Sequence, residues 1–279
     1  MHIFEITSIA SLVTLVGLVG GQSRSAQADA TQPAAAVVST VPGAPVLAAA
    51  RDDFPSASAK SVVSGRAKFK GDVPAPKLLR IQGDATCEAL HPEPPVNQSL
   101  IVNKENQIQN VFVYVKKGVE QWQHKVPEAP VALTQEGCMY KPHVFGIMVG
   151  QELEISNSDA TTHNVHLFSI KNTSFNMTQK EDAKAKKKFS TTEVMVEFKC
   201  DIHSWMGARV GVLDHPFYAV SAADGSFALP KLPAGTYTVE AIHEELGKQS
   251  QEITVVDGQP LEIELTFEAK KKKSRRRRR

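Results

Sequence analysis

The sequence offers little to a helix. Across its 279 residues no segment sustains apolar side chains at the i, i+3, i+4, i+7 spacing of an amphipathic helix, which leaves no basis for a helical bundle. A long hydrophobic run is missing too. The apolar stretch 3–19 carries Glu5 and falls short of the roughly 20 residues that span a bilayer. Cysteine is scarce and odd in number, at three, so one thiol has no partner within the chain. No cysteine stands in a C-x-x-C-H haem motif. No Ser/His/Asp set or paired carboxylates stand out, so the chain is expected not to be an enzyme. No motif for specific nucleic-acid recognition is present.

The two ends differ from the middle. Gly20-Gly21 breaks the first apolar stretch, and Ala26-Gln27-Ala28 supplies an A-x-A site, so residues 1–28 are expected to be a signal peptide or, uncleaved, a membrane tether. Either places the protein in the periplasm or outside the cell, where disulfides persist. Residues 29–60, rich in Ala, Pro, Ser and Val, are expected to form a linker. Residues 269–279 hold nine basic side chains; setting them aside leaves 23 basic against 30 acidic residues, a net charge of −7. The folded part is therefore acidic, and the tail is a basic run suited to an anionic surface or polymer, or simply a solvated end.

Between these ends, period-two alternation dominates. Leu153, Ile155 and Asn157 share one face of a strand; Val194, Val196, Phe198 and Cys200 share another; Ala208, Val210 and Val212 a third. Short strands punctuated by Gly, Pro, Asn and Asp predict an all-β protein of antiparallel sandwiches. The lysine-rich stretch 180–188 has no apolar stripe and is expected to be an exposed loop. Downstream, Asp224-Gly225 turns into Phe227 and Leu229, and Leu232-Pro-Ala-Gly turns into Tyr237 and Val239. This D-G-x-F-x-L…L-P-x-G-x-Y-x-V pattern resembles the carboxypeptidase regulatory-like (transthyretin-like) β-sandwich. Residues 61–135 would supply its N-terminal strands and 214–268 the rest, with the region 136–213 either inserted in that sandwich or adjoining it.

That middle region holds the residues with chemistry. Cys200-Asp-Ile-His-Ser-Trp-Met206 places a thiol, an imidazole and a thioether on one loop between two strands. Strand parity turns Cys200 towards the apolar interior. A further imidazole comes from His163 or His166; parity with Val165 and Leu167 favours His163. Two His, one Cys and a weak axial Met form the blue-copper set, whose soft sulfur ligands suit copper in both redox states. The spacing C-x2-H-x2-M, preceded by "HNVH" within "VGQELEISNSDATTHNVHLF", resembles the cupredoxins. The resemblance implies a Greek-key cupredoxin-like β-sandwich with one type 1 copper held by His163, Cys200, His203 and Met206. It implies that Asn164 hydrogen-bonds across to the ligand loop.

With Cys200 used as a ligand, Cys87 and Cys138 remain and would pair. Trp205 either packs in the core or lies in a docking patch around an exposed edge of His203. His91, His124, His143, His215 and His243 lack ligand spacing. A CuA centre would need a second cysteine near Cys200, and a multicopper oxidase further histidine-rich sites; neither is present. The expected function is a one-electron carrier serving an unidentified redox partner protein. The alternatives are copper storage or delivery, or a metal-free carbohydrate-binding or adhesion sandwich.

Overall fold

A computed structural model describes residues 51–269. The signal segment, residues 29–50 of the expected linker and the run from Lys270 lie outside it. Among the described residues the fold is almost entirely β, with one α-helix of six residues, Ala85–Leu90, and no helix long and apolar enough to cross a membrane.

The strands form two sandwiches. In one, Ser61–Lys70 lies between Ser226–Leu232, antiparallel, and Leu261–Glu268, parallel. The facing sheet runs Tyr218–Val220, Phe112–Lys117, Gly235–His243, Gly247–Val255. Alternation fills the space between: Val63, Ala67 and Phe69 meet Val113, Val115, Tyr237, Val239, Ile253, Ile263 and Phe267. Gly225 takes the positive φ of 71° that the Asp224-Gly225 turn requires. Strands from before and after the middle region thus share sheets, so the middle region interrupts this sandwich.

The second sandwich has its own core. One sheet runs Phe175–Gln179, His163–Phe168, Glu193–Lys199, Gly207–Leu213, Val144–Met148, and the other Lys184–Lys188, Glu152–Asn157, Val131–Gln135, Tyr140–Lys141. Leu133, Ile147, Leu153, Ile155, Val165, Leu167, Phe198 and Val210 are fully buried within it.

Several expectations need correction. Val131–Gln135, assigned to the first sandwich, pairs in parallel with Glu152–Asn157 and buries Leu133 in the second core. Residues 184–188 form an edge strand on Glu152–Asn157 rather than a loop: backbone pairing, not an apolar face, orders them. Val194 leaves the face of Val196 and Phe198 because the register shifts between Glu193 and Val196, where Met195 has a φ of 59°. The linker ends earlier than its composition implies, since Phe54 packs on Trp122 and Phe217 with centroids 5.3 and 5.1 Å apart.

The freed Val194 joins a small cluster where the sandwiches meet, made by Phe112, Tyr114, Val144 and Leu213 with Tyr218 and Ile242. Burying each large apolar side chain there contributes about 1.5–3 kcal/mol. Glycine makes the approach possible. A Cβ on Gly211 would lie 2.1 Å from the Phe112 ring, and one on Gly146 2.1 Å from the Tyr218 ring.

Candidate metal centre

Cys200 follows the strand Glu193–Lys199 and keeps the inward parity of Val196 and Phe198, so its thiol enters the second core. The loop then closes tightly: the N–H of Met206 donates to the carbonyl of His203 at 2.9 Å, and that of Cys200 to the carbonyl of Met206 at 3.2 Å. This places Sγ of Cys200, a free thiol, 3.9 Å from Nδ1 of His203. The N–H groups of His203 and Asn164 both donate to that sulfur at 3.3 Å, bonds that a thiolate accepts more strongly than a neutral thiol.

His163 opens the strand His163–Phe168, and its Nδ1 lies 2.8 Å from Nδ1 of His203. One nitrogen of each ring and the sulfur fall within 4.8 Å of one another. His166 points away: its Nδ1 is 3.0 Å from a carboxylate oxygen of Asp201, and its ring stacks on Phe168. The structure therefore brings His163, not His166, to Cys200 and His203. Met206 is 1% exposed and packs in the same core as Cys200.

The side-chain oxygen of Asn164 accepts from the N–H of Asp201 in the loop at 3.1 Å. Its side-chain N–H₂ donates to Asn176. Cys87 and Cys138 form a disulfide. Of the two alternatives for Trp205, a docking patch around an exposed edge of His203 finds no such edge, because His203 is only 3% exposed. The connection between Lys70 and Phe112 swings over it and brings Asp84 and the helix Ala85–Leu90, so Cys87 Sγ stands 4.0 Å from Nε2 of His203. Trp205 stacks on the imidazole, centroids 4.9 Å apart, and its indole N–H donates to the carbonyl of Cys138.

Two residues that the sequence reading missed complete the site. Nε2 of His163 faces Oδ2 of Asp159 at 2.9 Å, and Nε2 of His203 faces Oδ2 of Asp84 at 3.3 Å. Asp159 stands four residues before His163, a spacing with little meaning in a loop. Asp84 is 119 residues from His203, and no local pattern links them. Asp84 is held below the usual carboxylate range chiefly by the N–H of Cys87, against burial, with help from Thr161 and His203. Burial pushes His163 below its ordinary range while Asp159 pulls the other way.

Counting protons tests whether this set fits a metal. A neutral imidazole has one N–H. If each ring spends it on its carboxylate, both Nδ1 lone pairs face each other at 2.8 Å and repel unless a proton or a cation lies between them. A cation there would meet two imidazole nitrogens and a sulfur, with a thioether buried in the same core, a donor set whose chemistry fits copper. The other histidines have other tasks. His91 bonds to the carbonyl of Gly137, and His143 to Gly207 and Glu244. Burial pushes His215 and His243 down to about 4.

No family model and no curated protein matches the chain. Among solved structures it is similar to a Cu-containing nitrite reductase from Thermus scotoductus SA-01, at 18% identity and a TM-score of 0.30 over 37% of this chain and 25% of that one. The match therefore spans only a quarter of the reductase's own length. A mutant amicyanin in its Cu(I) form matches at 18% identity and 0.28, over 32% of this chain and 86% of that one. A purple cupredoxin from Nitrosopumilus maritimus matches at 20% identity and 0.26, over 30% and 99%. At such values the functional reading has to come from the side chains themselves.

Proposed function

We propose that the protein is an exported, non-enzymatic one-electron carrier with a single type 1 copper that His163, His203 and Cys200 would hold, with Met206 as a weaker fourth ligand. The observation that supports this is the convergence of two imidazoles and one thiol, with ligand atoms within 4.8 Å of one another, inside an all-β core. Copper bound there would supply a Cu(I)/Cu(II) couple. The protein's part is to keep one geometry for both states: Cys200 is fixed by two N–H donors, and the ligand loop is braced by Asn164 and Trp205. Storage or delivery would use the same ligands. His163, Cys200 and His203 are 0, 4 and 3% exposed, however, which favours a resident ion over an exchangeable one. The disulfide suits an oxidising compartment. The interrupted sandwich, which resembles the regulatory-like family by its sequence pattern, would act as scaffold, and the basic tail would add attraction to anionic surfaces.

The test is spectroscopic. Cu(II) loading should give an intense sulfur-to-copper charge-transfer band and a narrow EPR hyperfine splitting. Cys200→Ser, which replaces a soft thiolate with a hydroxyl, should abolish both. A colourless wild-type protein carrying stoichiometric Cu(II) would leave the metal-free sandwich as the better account.

A further inference from the structure

The two carboxylates behind the histidines are held by one cross-link. The N–H of Cys87 donates to Oδ1 of Asp84 at 3.0 Å. The N–H groups of Gly137 and Cys138 donate to the two oxygens of Asp159 at 2.6 and 2.8 Å. Cys87 and Cys138 are the two halves of the disulfide. Each half therefore fixes the carboxylate that faces one of the candidate ligands. Thr161 adds a bond to Oδ2 of Asp84 at 2.8 Å, and the side chain of Asn157 accepts from the N–H of Asp159 at 3.0 Å. Asp84 arrives on the connection between strands of the interrupted sandwich, whereas Asp159 belongs to the sandwich that holds Cys200.

We infer that Asp84 and Asp159, fixed through the Cys87–Cys138 disulfide, are positioning residues that hold His203 and His163 as Nε2–H tautomers, aim both Nδ1 lone pairs into the metal site and lower its reduction potential. The inference rests on the copper reading above. A ring whose Nε2–H is committed to a carboxylate has only Nδ1 left to bind with, and the hydrogen bond raises its basicity. Two negative groups behind the ligands favour the higher charge of Cu(II) over Cu(I). Burial strengthens this effect, since Asp159 is 5% exposed and water screens it little. The site should therefore be poised towards its oxidised form.

The experiment uses the full chain loaded with copper, in wild type and in Asp84→Asn, Asp84→Ser and Asp159→Asn. Asparagine keeps an acceptor but removes the charge. Serine at 84 still caps the helix, because its hydroxyl accepts the Cys87 N–H, but it is too short to reach His203. Nitrogen-15 NMR of the diamagnetic Cu(I) form should show slowly exchanging Nε2–H signals for His163 and His203 in wild type, and Asp84→Ser should lose only that of His203. Outer-shell changes of this kind cost about 10–100-fold in metal affinity. Each tenfold by which Cu(II) loses more than Cu(I) raises the potential by about 59 mV. The expected order of potentials is wild type, then Asp84→Asn, then Asp84→Ser, with the charge-transfer band kept throughout. Nδ1–H tautomers in wild type, or a folded Asp84→Ser with unchanged affinity and potential, would overturn the inference while leaving the copper reading intact. A wild type without the band overturns both. If Asp159→Asn does not fold, the two Asp84 variants decide the matter alone.

Discussion

Replacing both disulfide cysteines by alanine separates what the cross-link does for the fold from what it does for the site. The bond closes a loop with a sequence separation of 51. The chain-entropy relation for that length gives about 4 kcal/mol at 25 °C. The helix it anchors, Ala85–Leu90, has six residues and is too short to persist in isolation, but Thr161 and Gly137 also tie its two ends down through Asp84 and His91. Alanine keeps the backbone N–H at 87 and 138, so the bonds to Asp84 and Asp159 survive in the folded state. Cys87→Ala/Cys138→Ala should therefore lose about 4 kcal/mol of stability yet stay coloured while folded. For a slope of about 2–3 kcal/mol/M, the urea midpoint should fall by about 1–2 M. Thiol titration of the unfolded, metal-free wild type should find one free thiol. A stability loss below about 1 kcal/mol, or three free thiols in wild type, would refute the reasoning.

Met206→Leu should keep the band and raise the reduction potential, because an axial thioether tunes the site rather than builds it; loss of the band would place Met206 among the essential ligands. His166→Ala should leave the spectrum unchanged, since that ring is paired with Asp201. Gly211→Ala should cost about 1–3 kcal/mol by denaturant unfolding, because the added Cβ would sit 2.1 Å from Phe112. Deleting Lys270–Arg279 should leave copper binding intact while weakening salt-sensitive association with anionic vesicles.

Much of the fold was legible because a half-buried strand writes its period into the sequence. Leu153, Ile155 and Asn157 alternate on paper and are all buried in the structure. Cys200 and His203 were legible for the same reason, being local to one loop. What was hidden is non-local. Nothing in the stretch 180–188 reveals that its backbone pairs with Glu152–Asn157, because edge-strand hydrogen bonds are indifferent to side chains. The bulge at Met195 turns Val194 out of phase, and alternation cannot show a slipped register. Asp84 reaches His203 only because a connection of one sandwich folds over the end of the other.

Acid titration reads the corner at Glu193, where the bulged strand meets the loop 169–172. Burial works to raise the Glu193 carboxyl, but it accepts from the Ser169 hydroxyl, the N–H groups of Ile170 and Lys171 and the Asn172 side chain, and it ends at about 2 instead of 4.5. A carboxylate with a depressed folded pKa contributes stability above its unfolded value and loses it as pH falls towards the folded one. The contribution should therefore be complete above about pH 4.5 and drain away towards pH 2. Glu193→Gln keeps an acceptor but cannot titrate. It should be less stable than wild type at pH 7 and should flatten the stability curve in that window, so the two proteins converge as the acid deepens. Metal-free protein is the right sample, because the carboxylates at the proposed copper site then contribute equally to both curves. Parallel curves for the two proteins between pH 4.5 and 2 would show that Glu193 is not the group holding this corner.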